Sequence, residues 1–229
     1  MIPWLQDHFP PVSQALSSPN GLLAAGGDLS AAWLLDAYRQ GIFPWYNEGD
    51  PILWWSPDPR TVFIPDQFNV STSLNKVLRK HQFEVTFDQG FEQVMRCCAA
   101  PRKGAKGTWI SEDIIAAYCE LQRLGHAHSV EVWVDKKLTG GLYGIAIGKM
   151  FYGESMFSNT SNGSKIALAH LAKQLARWQF GMIDCQMSTT HLTSLGAQEI
   201  SRGKFIAYLQ ELVHCEPHTN WQFDSDLFT

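Results

Sequence analysis

Lys149-Met-Phe-Tyr-Gly-Glu154-Ser-Met-Phe-Ser158 is an apolar, strand-like run with one carboxylate in its middle. A buried strand has no ordinary use for a glutamate, because an unpaired buried carboxylate is costly or shifts its pKa until it is neutral. A second short apolar run, Met182-Ile-Asp184-Cys-Gln186, carries the same anomaly at Asp184. Between the two runs, residues 161–180 hold a helical stripe of Leu168, Leu171, Leu175 and Trp178. Strand, helix, strand is the unit whose two strands lie parallel and close together. The arrangement therefore brings Glu154 and Asp184 toward one cleft. Gln186, two residues after Asp184, is expected on the same strand face as that aspartate. An acid, an amide and a facing acid in an apolar layer are what a catalytic pocket is built from. The structural alternative for each carboxylate is a pair with a buried Arg or Lys, or a place at a strand end in water.

Upstream, Ser129–Val134, Leu138–Ile147 and Met150–Phe157 read as an antiparallel meander, the last two joined around Gly148-Lys149. Glycines 140, 141, 144 and 148 thin the middle strand, which fits a bulge or a closely approaching ligand. Residues 83–87 form a further strand, Asp88 is expected to cap a helix burying Phe91, Val94, Met95 and Cys98, and Ser111 to cap another that stops at Gly125. Near the N-terminus, Ser30 caps a helix with the stripe Trp33, Leu34, Ala37 and Tyr38. Prolines 44, 51, 57 and 59 then exclude a long helix and leave an aromatic-rich loop region with one edge strand. The fold class is α+β, with a small N-terminal α+β domain over 1–65 and a larger mixed-sheet domain over 66–229.

Hydrophobic content of 45% over 229 residues describes an ordinary globular chain with a sizeable core. Five cysteines in no metal-ligand spacing point to reduced thiols and a cytoplasmic protein. No apolar run approaches a bilayer span, and no secretory leader is visible. His126 and His128 share a strand face but have no third ligand at a familiar spacing, so no metal is expected. The helix start after Ser161-Asn-Gly-Ser164 offers an anion cradle with one glycine, too few for a coenzyme A pyrophosphate. The net charge of −4 hides a separation of sign: residues 76–106 hold seven Lys/Arg and three Asp/Glu, so the remainder sums to −8. Within that segment Lys76, Arg79 and Lys80 share one helix face, a solvated face or a polyanion contact. Trp45 and Trp109 each follow a break in regular structure, and Trp109 lies beside the basic segment. Aromatics beside positive charge suit stacking on a nucleobase, whereas Trp33, Trp133 and Trp178 fall on core patterns.

Pro19–Ala24, Gly26–Leu29, Gly41–Trp45, Leu53–Arg60, Gly107–Ile110, Gly125–Ser129, Phe151–Ser158 and Ile183–Gln186 together resemble, in order, the leucyl/phenylalanyl-tRNA–protein transferases. The resemblance runs from about residue 19 to about residue 209. It implies an acetyltransferase-like (GNAT-related) larger domain. It also implies transfer of leucine or phenylalanine, and less well methionine, from aminoacyl-tRNA to the N-terminal Lys or Arg of acceptor proteins, which marks them for degradation. No cofactor is implied, because the aminoacyl ester is already activated. The family's terminal-adenosine residues match Trp45 and Trp109, and its acidic reacting centre matches Glu154, Asp184 and Gln186. Its aminoacyl pocket falls on Leu142, Phe151, Met156, Leu168, Leu171 and Ile183. Lys76, Arg79 and Lys80 are expected to meet the tRNA body, and a monomer is expected. Which carboxylate orients the amine, and whether a protein group or a ribose hydroxyl takes its proton, stays open. The rival functions are a GNAT-type N-acetyltransferase and a non-catalytic RNA-binding module.

Overall fold

The computed structural model describes residues 2–80, 82–101 and 108–228. A four-stranded sheet lies near the N-terminus: β1 (Trp4–Leu5), β2 (Leu22–Gly26), β3 (Phe43–Pro44) and β4 (Leu53–Trp55), in the order β1-β2-β4-β3. The larger, seven-stranded sheet contains β5 (Arg60–Phe63), β6 (Glu84–Phe87), β7 (Ala127–Val134), β8 (Lys137–Ile147), β9 (Met150–Ser158), β10 (Met182–Asp184) and β11 (Gln198–Ile200). Its order is β11-β5-β10-β9-β8-β7-β6. β6 to β9 form the antiparallel meander, and β10 joins β9 in parallel. The parallel pair is the consequence of the crossover helix α5 (Gly163–Arg177), as the strand-helix-strand reading requires.

Both faces of the large sheet are covered, and each has its own apolar core. On one side Tyr143, Ile145 and Tyr152 pack with α1 (Ala31–Arg39), α3 (Phe91–Ala99), α4 (Glu112–Arg123), α7 (Arg202–Leu212) and the small sheet. On the other, Leu142, Phe151 and Ile183 pack with α5 and α2 (Thr72–Leu78), together with the C-terminal tail. A short helix, α6 (Thr190–Ser194), separates β10 from β11. Ser30, Ser71, Ser111 and Ser201 cap α1, α2, α4 and α7 by accepting from a backbone N–H in the first turn.

Two expectations change and a third is resolved. The proline-rich region holds two strands and not one, β3 at the edge of the small sheet and β4 inside it, and β5 just after it is an interior strand between β10 and β11, so a unit closing at residue 65 takes in one strand of the larger sheet. Asp88 caps nothing: the N-cap of α3 is Gly90. Asp88 is left-handed (φ 58°) and accepts instead from His128 Nδ1 and the Ser129 N–H, each at 2.8 Å. Of the two readings of the β8 glycines, a bulge or an approaching ligand, the bulge is present beside Gly144, and the atoms packed against Gly140, Gly141 and Gly144 are protein. A Cβ at Gly140 would sit 2.5 Å from the Gly163 backbone, which lets α5 start directly against the sheet. A Cβ at Gly144 would strike the Tyr152 carbonyl, beside an irregularity in β9.

Candidate active site

That irregularity sets the site. Tyr143 of β8 pairs with Ser155, yet Gly144 pairs with Gly153, so Glu154 is an extra residue in β9. A bulge of this kind bends the strand and re-aims its side chains. It flips the alternation: Phe151 and Met156, an odd number of positions apart, both face the α5 side, while Tyr152 and Phe157 face the other. The neighbour on the other edge helps. β10 pairs with β9 only through Met150–Tyr152 and then diverges after Asp184. The gap holds a cavity of about 960 Å³.

One end of the cavity is apolar, lined by Leu142, Phe151, Met156, Leu168, Leu171 and Ile183. Trp45 and Trp109 stand at another part of its wall. Trp45 is 40% exposed, yet it is fixed in place. Its N–H donates to the Leu53 carbonyl, its carbonyl accepts from Trp55 Nε1 at 2.7 Å, and its ring meets Trp55 edge-on. Glu154 and Gln186 also line the cavity, and among the described residues Glu154 is the carboxylate on that wall.

Glu154 is half-buried and receives three hydrogen bonds. Tyr38 donates to Oε1 at 2.8 Å, Tyr118 to Oε2 at 3.2 Å, and Gln186 Nε2 to Oε1 at 3.2 Å. Burial pushes its pKa up to about 7. The Tyr38 hydrogen bond pulls it back, the Asp184 charge raises it, and Tyr118 and Arg60 lower it. The two tyrosines are raised far above their ordinary value, by burial first and the Glu154 charge next, so they stay neutral donors.

Asp184 does not project into the cavity. It is fully buried and forms a two-pronged ion pair with Arg60: Nε to Oδ1 at 2.8 Å and Nη2 to Oδ2 at 2.6 Å. The buried-salt-bridge alternative therefore describes this residue. Gln186 also departs from expectation. It lies beyond the end of β10 with φ 57°, so its face is not set by strand alternation. Its N–H donates to Asp184 Oδ1 at 2.9 Å, and the turn this creates swings the side chain to Glu154.

Residues 62–210 match the family model described as leucyl/phenylalanyl-tRNA protein transferase, and residues 27–58 match the N-terminal domain of the same family. The chain belongs to the leucyl/phenylalanyl-tRNA–protein transferase family. The protein of that name from Nitrosospira multiformis is 58% identical over 229 residues, covering 99% of both chains. That from Aromatoleum aromaticum is 61% identical over 211 residues, 91% of this chain and 89% of its own. That from Chromobacterium violaceum is 56% identical over 226 residues, 97% of each.

In this family member Lys76, Arg79 and Lys80 lie away from the cavity, exposed on or just after α2, with Leu74 and Leu78 buried beneath. Arg96, counted in the same basic segment, is held by Glu92 and Glu112. Arg102, Lys103 and Lys106 lie outside the described residues. His128 is paired with Asp88 and stacked on Trp221 at 3.6 Å, and no cluster of three metal-ligating side chains occurs among the described residues. The start of α5 is closed as an anion cradle, because Gly163 and Ser164 donate to the Thr160 carbonyl and Ser158 Oγ. Sequence reasoning missed Tyr38 and Tyr118, whose rings satisfied apolar stripes and whose hydroxyls gave no signal. It also quoted Arg60 without a role. Four prolines around Arg60 disguised it as loop.

Proposed function

We propose that this chain transfers leucine or phenylalanine, and methionine less well, from aminoacyl-tRNA to the N-terminal Lys or Arg of acceptor proteins, forming a peptide bond and a degradation signal. The observation that carries the reading is one cavity joining an apolar end, two tryptophans and a half-buried glutamate. In this reading Trp45 and Trp109 stack on the terminal adenosine. The six apolar side chains take the aminoacyl group, and Glu154 and Gln186 serve the reacting centre, with Asp184 behind them holding the Gln186 backbone. Lys76, Arg79 and Lys80 bind the tRNA body. The parallel β9–β10 pair that splays after an antiparallel meander supports a GNAT-related description of the larger domain. We place the protein in the cytoplasm, in keeping with five cysteines in no metal-ligand spacing. We take the working form to be a monomer.

The ester of the donor is already activated, so the protein must bring a neutral amine in line with the carbonyl and stabilise the charge that develops. Glu154 is suited to the amine. With a pKa of about 7 it can accept a hydrogen bond from the amine and take its proton near neutral pH. Its negative form also suits the cationic side chain of the acceptor's first residue. Gln186 fixes the carboxylate's rotation, leaving a lone pair toward the cavity. A ribose hydroxyl of the donor is the alternative carrier of the proton.

The test is transfer of labelled leucine from leucyl-tRNA to a peptide beginning with Arg, without added nucleotide or coenzyme A. Labelled dipeptide at the N-terminus is expected. No transfer, with tight coenzyme A binding, would show an acetyltransferase instead. Truncating Trp45 or Trp109 to Ala should raise the KM for a short aminoacyl-adenosine donor roughly ten- to hundredfold, since stacking on one base is worth about 1–3 kcal/mol.

A further inference from the structure

Arg60 is fully buried and is no part of the cavity wall. All the same, its guanidinium contacts four residues. Nε and Nη2 bridge both oxygens of Asp184. Nη1 donates to the Gly41 carbonyl at 3.0 Å, and the rings of Phe43 and Phe205 lie 4.9 and 4.5 Å from its central carbon. A carboxylate bridged at both oxygens by a planar fork cannot rotate. Its Oδ1 is thereby locked in the direction that receives the Gln186 N–H. The residue after Arg60 holds the same turn from the other side, since the Thr61 N–H donates to the Gln186 carbonyl at 3.2 Å.

The turn needs holding. Gln186 is in the left-handed region, which disfavours an L-residue with a side chain. Released from Asp184, the backbone would relax, and the carboxamide would leave Glu154. We propose that Arg60 is a positioning residue of the transfer reaction. Through Asp184 it holds Gln186 in the left-handed turn that aims its amide at Glu154. The proposal rests on the transfer reading above and adds to it a residue that touches no substrate.

The test is a double-mutant cycle between Arg60→Lys and Gln186→Ala, with leucyl-tRNA as donor and an Arg-peptide as acceptor. Lysine keeps the charge beside Asp184 but not the fork. Arg60→Lys is expected to lower kcat about ten- to hundredfold, the scale of a misplaced catalytic group, and to leave the donor KM within about threefold. Gln186→Ala should lower kcat by a similar factor. The double variant should be no slower than Gln186→Ala alone, because the two act as one unit. Multiplying losses would mean that Arg60 merely supports the fold, and would overturn the proposal. If Arg60→Lys does not fold, Arg60→Met with Asp184→Leu replaces the pair by apolar volume, an exchange that buried ion pairs often tolerate. That variant is expected folded and slow, with no further loss from Gln186→Ala; a folded variant at the wild-type rate overturns the proposal. Wild-type protein that transfers nothing would sink the transfer reading and this proposal together, whereas active wild type with multiplying losses sinks this proposal alone.

Discussion

At the scale of single residues, Glu154 and Asp184 look alike in the sequence and differ in chemistry. Asp184 has a buried cation on both oxygens. Glu154 has neutral donors and a cavity. Removing Asp184 therefore strands a guanidinium, and Asp184→Ala is expected to cost about 3–5 kcal/mol in denaturant unfolding. Loss of activity in that variant would not by itself assign it to the chemistry. Glu154→Gln is the cleaner change. The folded-state pKa of Glu154 is raised from about 4.5 to about 7. The folded protein thus binds this proton more tightly than the unfolded chain does. Its stabilising contribution is complete below about pH 4.5 and is lost as pH rises through about 7. Glutamine does not titrate, so the melting temperature of Glu154→Gln should gain on wild type between about pH 5 and pH 8. In the transfer assay wild-type kcat/KM should rise through an ionisation near 7 that the variant lacks, while the acceptor's α-amine, with a pKa of about 7.7–8.0, shapes both profiles. The same limb near 7 in the variant would remove Glu154 from the proton path.

At the scale of elements, the crossover β9-α5-β10 was legible in the sequence because its periodicities are strong and its connection is obligatory. The meander was legible for the same reason, strand by strand. The bulge was not. Nothing in Tyr-Gly-Glu-Ser marks Glu154 as the unpaired residue. The signal lies across the sheet at Gly144, where a Cβ would strike the Tyr152 carbonyl. Without the bulge, strict alternation would put Phe151 and Met156 on opposite faces. The resemblance to the family supplied both as pocket residues, and the extra residue makes that geometrically possible. The left-handed turn at Gln186 was illegible too, because it depends on Asp184 Oδ1 and on a strand from distant sequence. Pocket selection is a prediction at this scale. Its six side chains are apolar, so the choice must rest on shape and area, where one methylene is worth about 1–3 kcal/mol. Leu, Phe and Met, unbranched at Cβ, should be transferred. Val and Ile, stiff and branched there, should be at least about tenfold slower at equal concentration of charged tRNA. Equal rates for Ile and Leu would place selection outside this pocket.

At the scale of the whole molecule, the exposed basic face of α2 and the cavity are separate. The chain sums to −4, yet a tRNA must approach it. Of the basic segment, Arg96 is neutralised by two glutamates, whereas Lys76, Arg79 and Lys80 form no ion pair among the described residues. They stand on the side of α5, because Leu74 and Leu78 sink into the core that α5 shares. α5 in turn lends Leu168 and Leu171 to the apolar end of the cavity. A polyanion held on α2 would thus be anchored on the same layer that lends apolar side chains to the cavity, without entering it. If each of the three meets a phosphate, replacing all three by Gln should flatten the log–log salt dependence of tRNA binding by roughly two to three units. The rate with a short aminoacyl-adenosine donor should not change, since that donor has no tRNA body to hold. A triple variant that handles the short donor as badly as the full tRNA would show that these charges serve the fold or the cavity. An unchanged salt slope would move the tRNA body to another face of the protein.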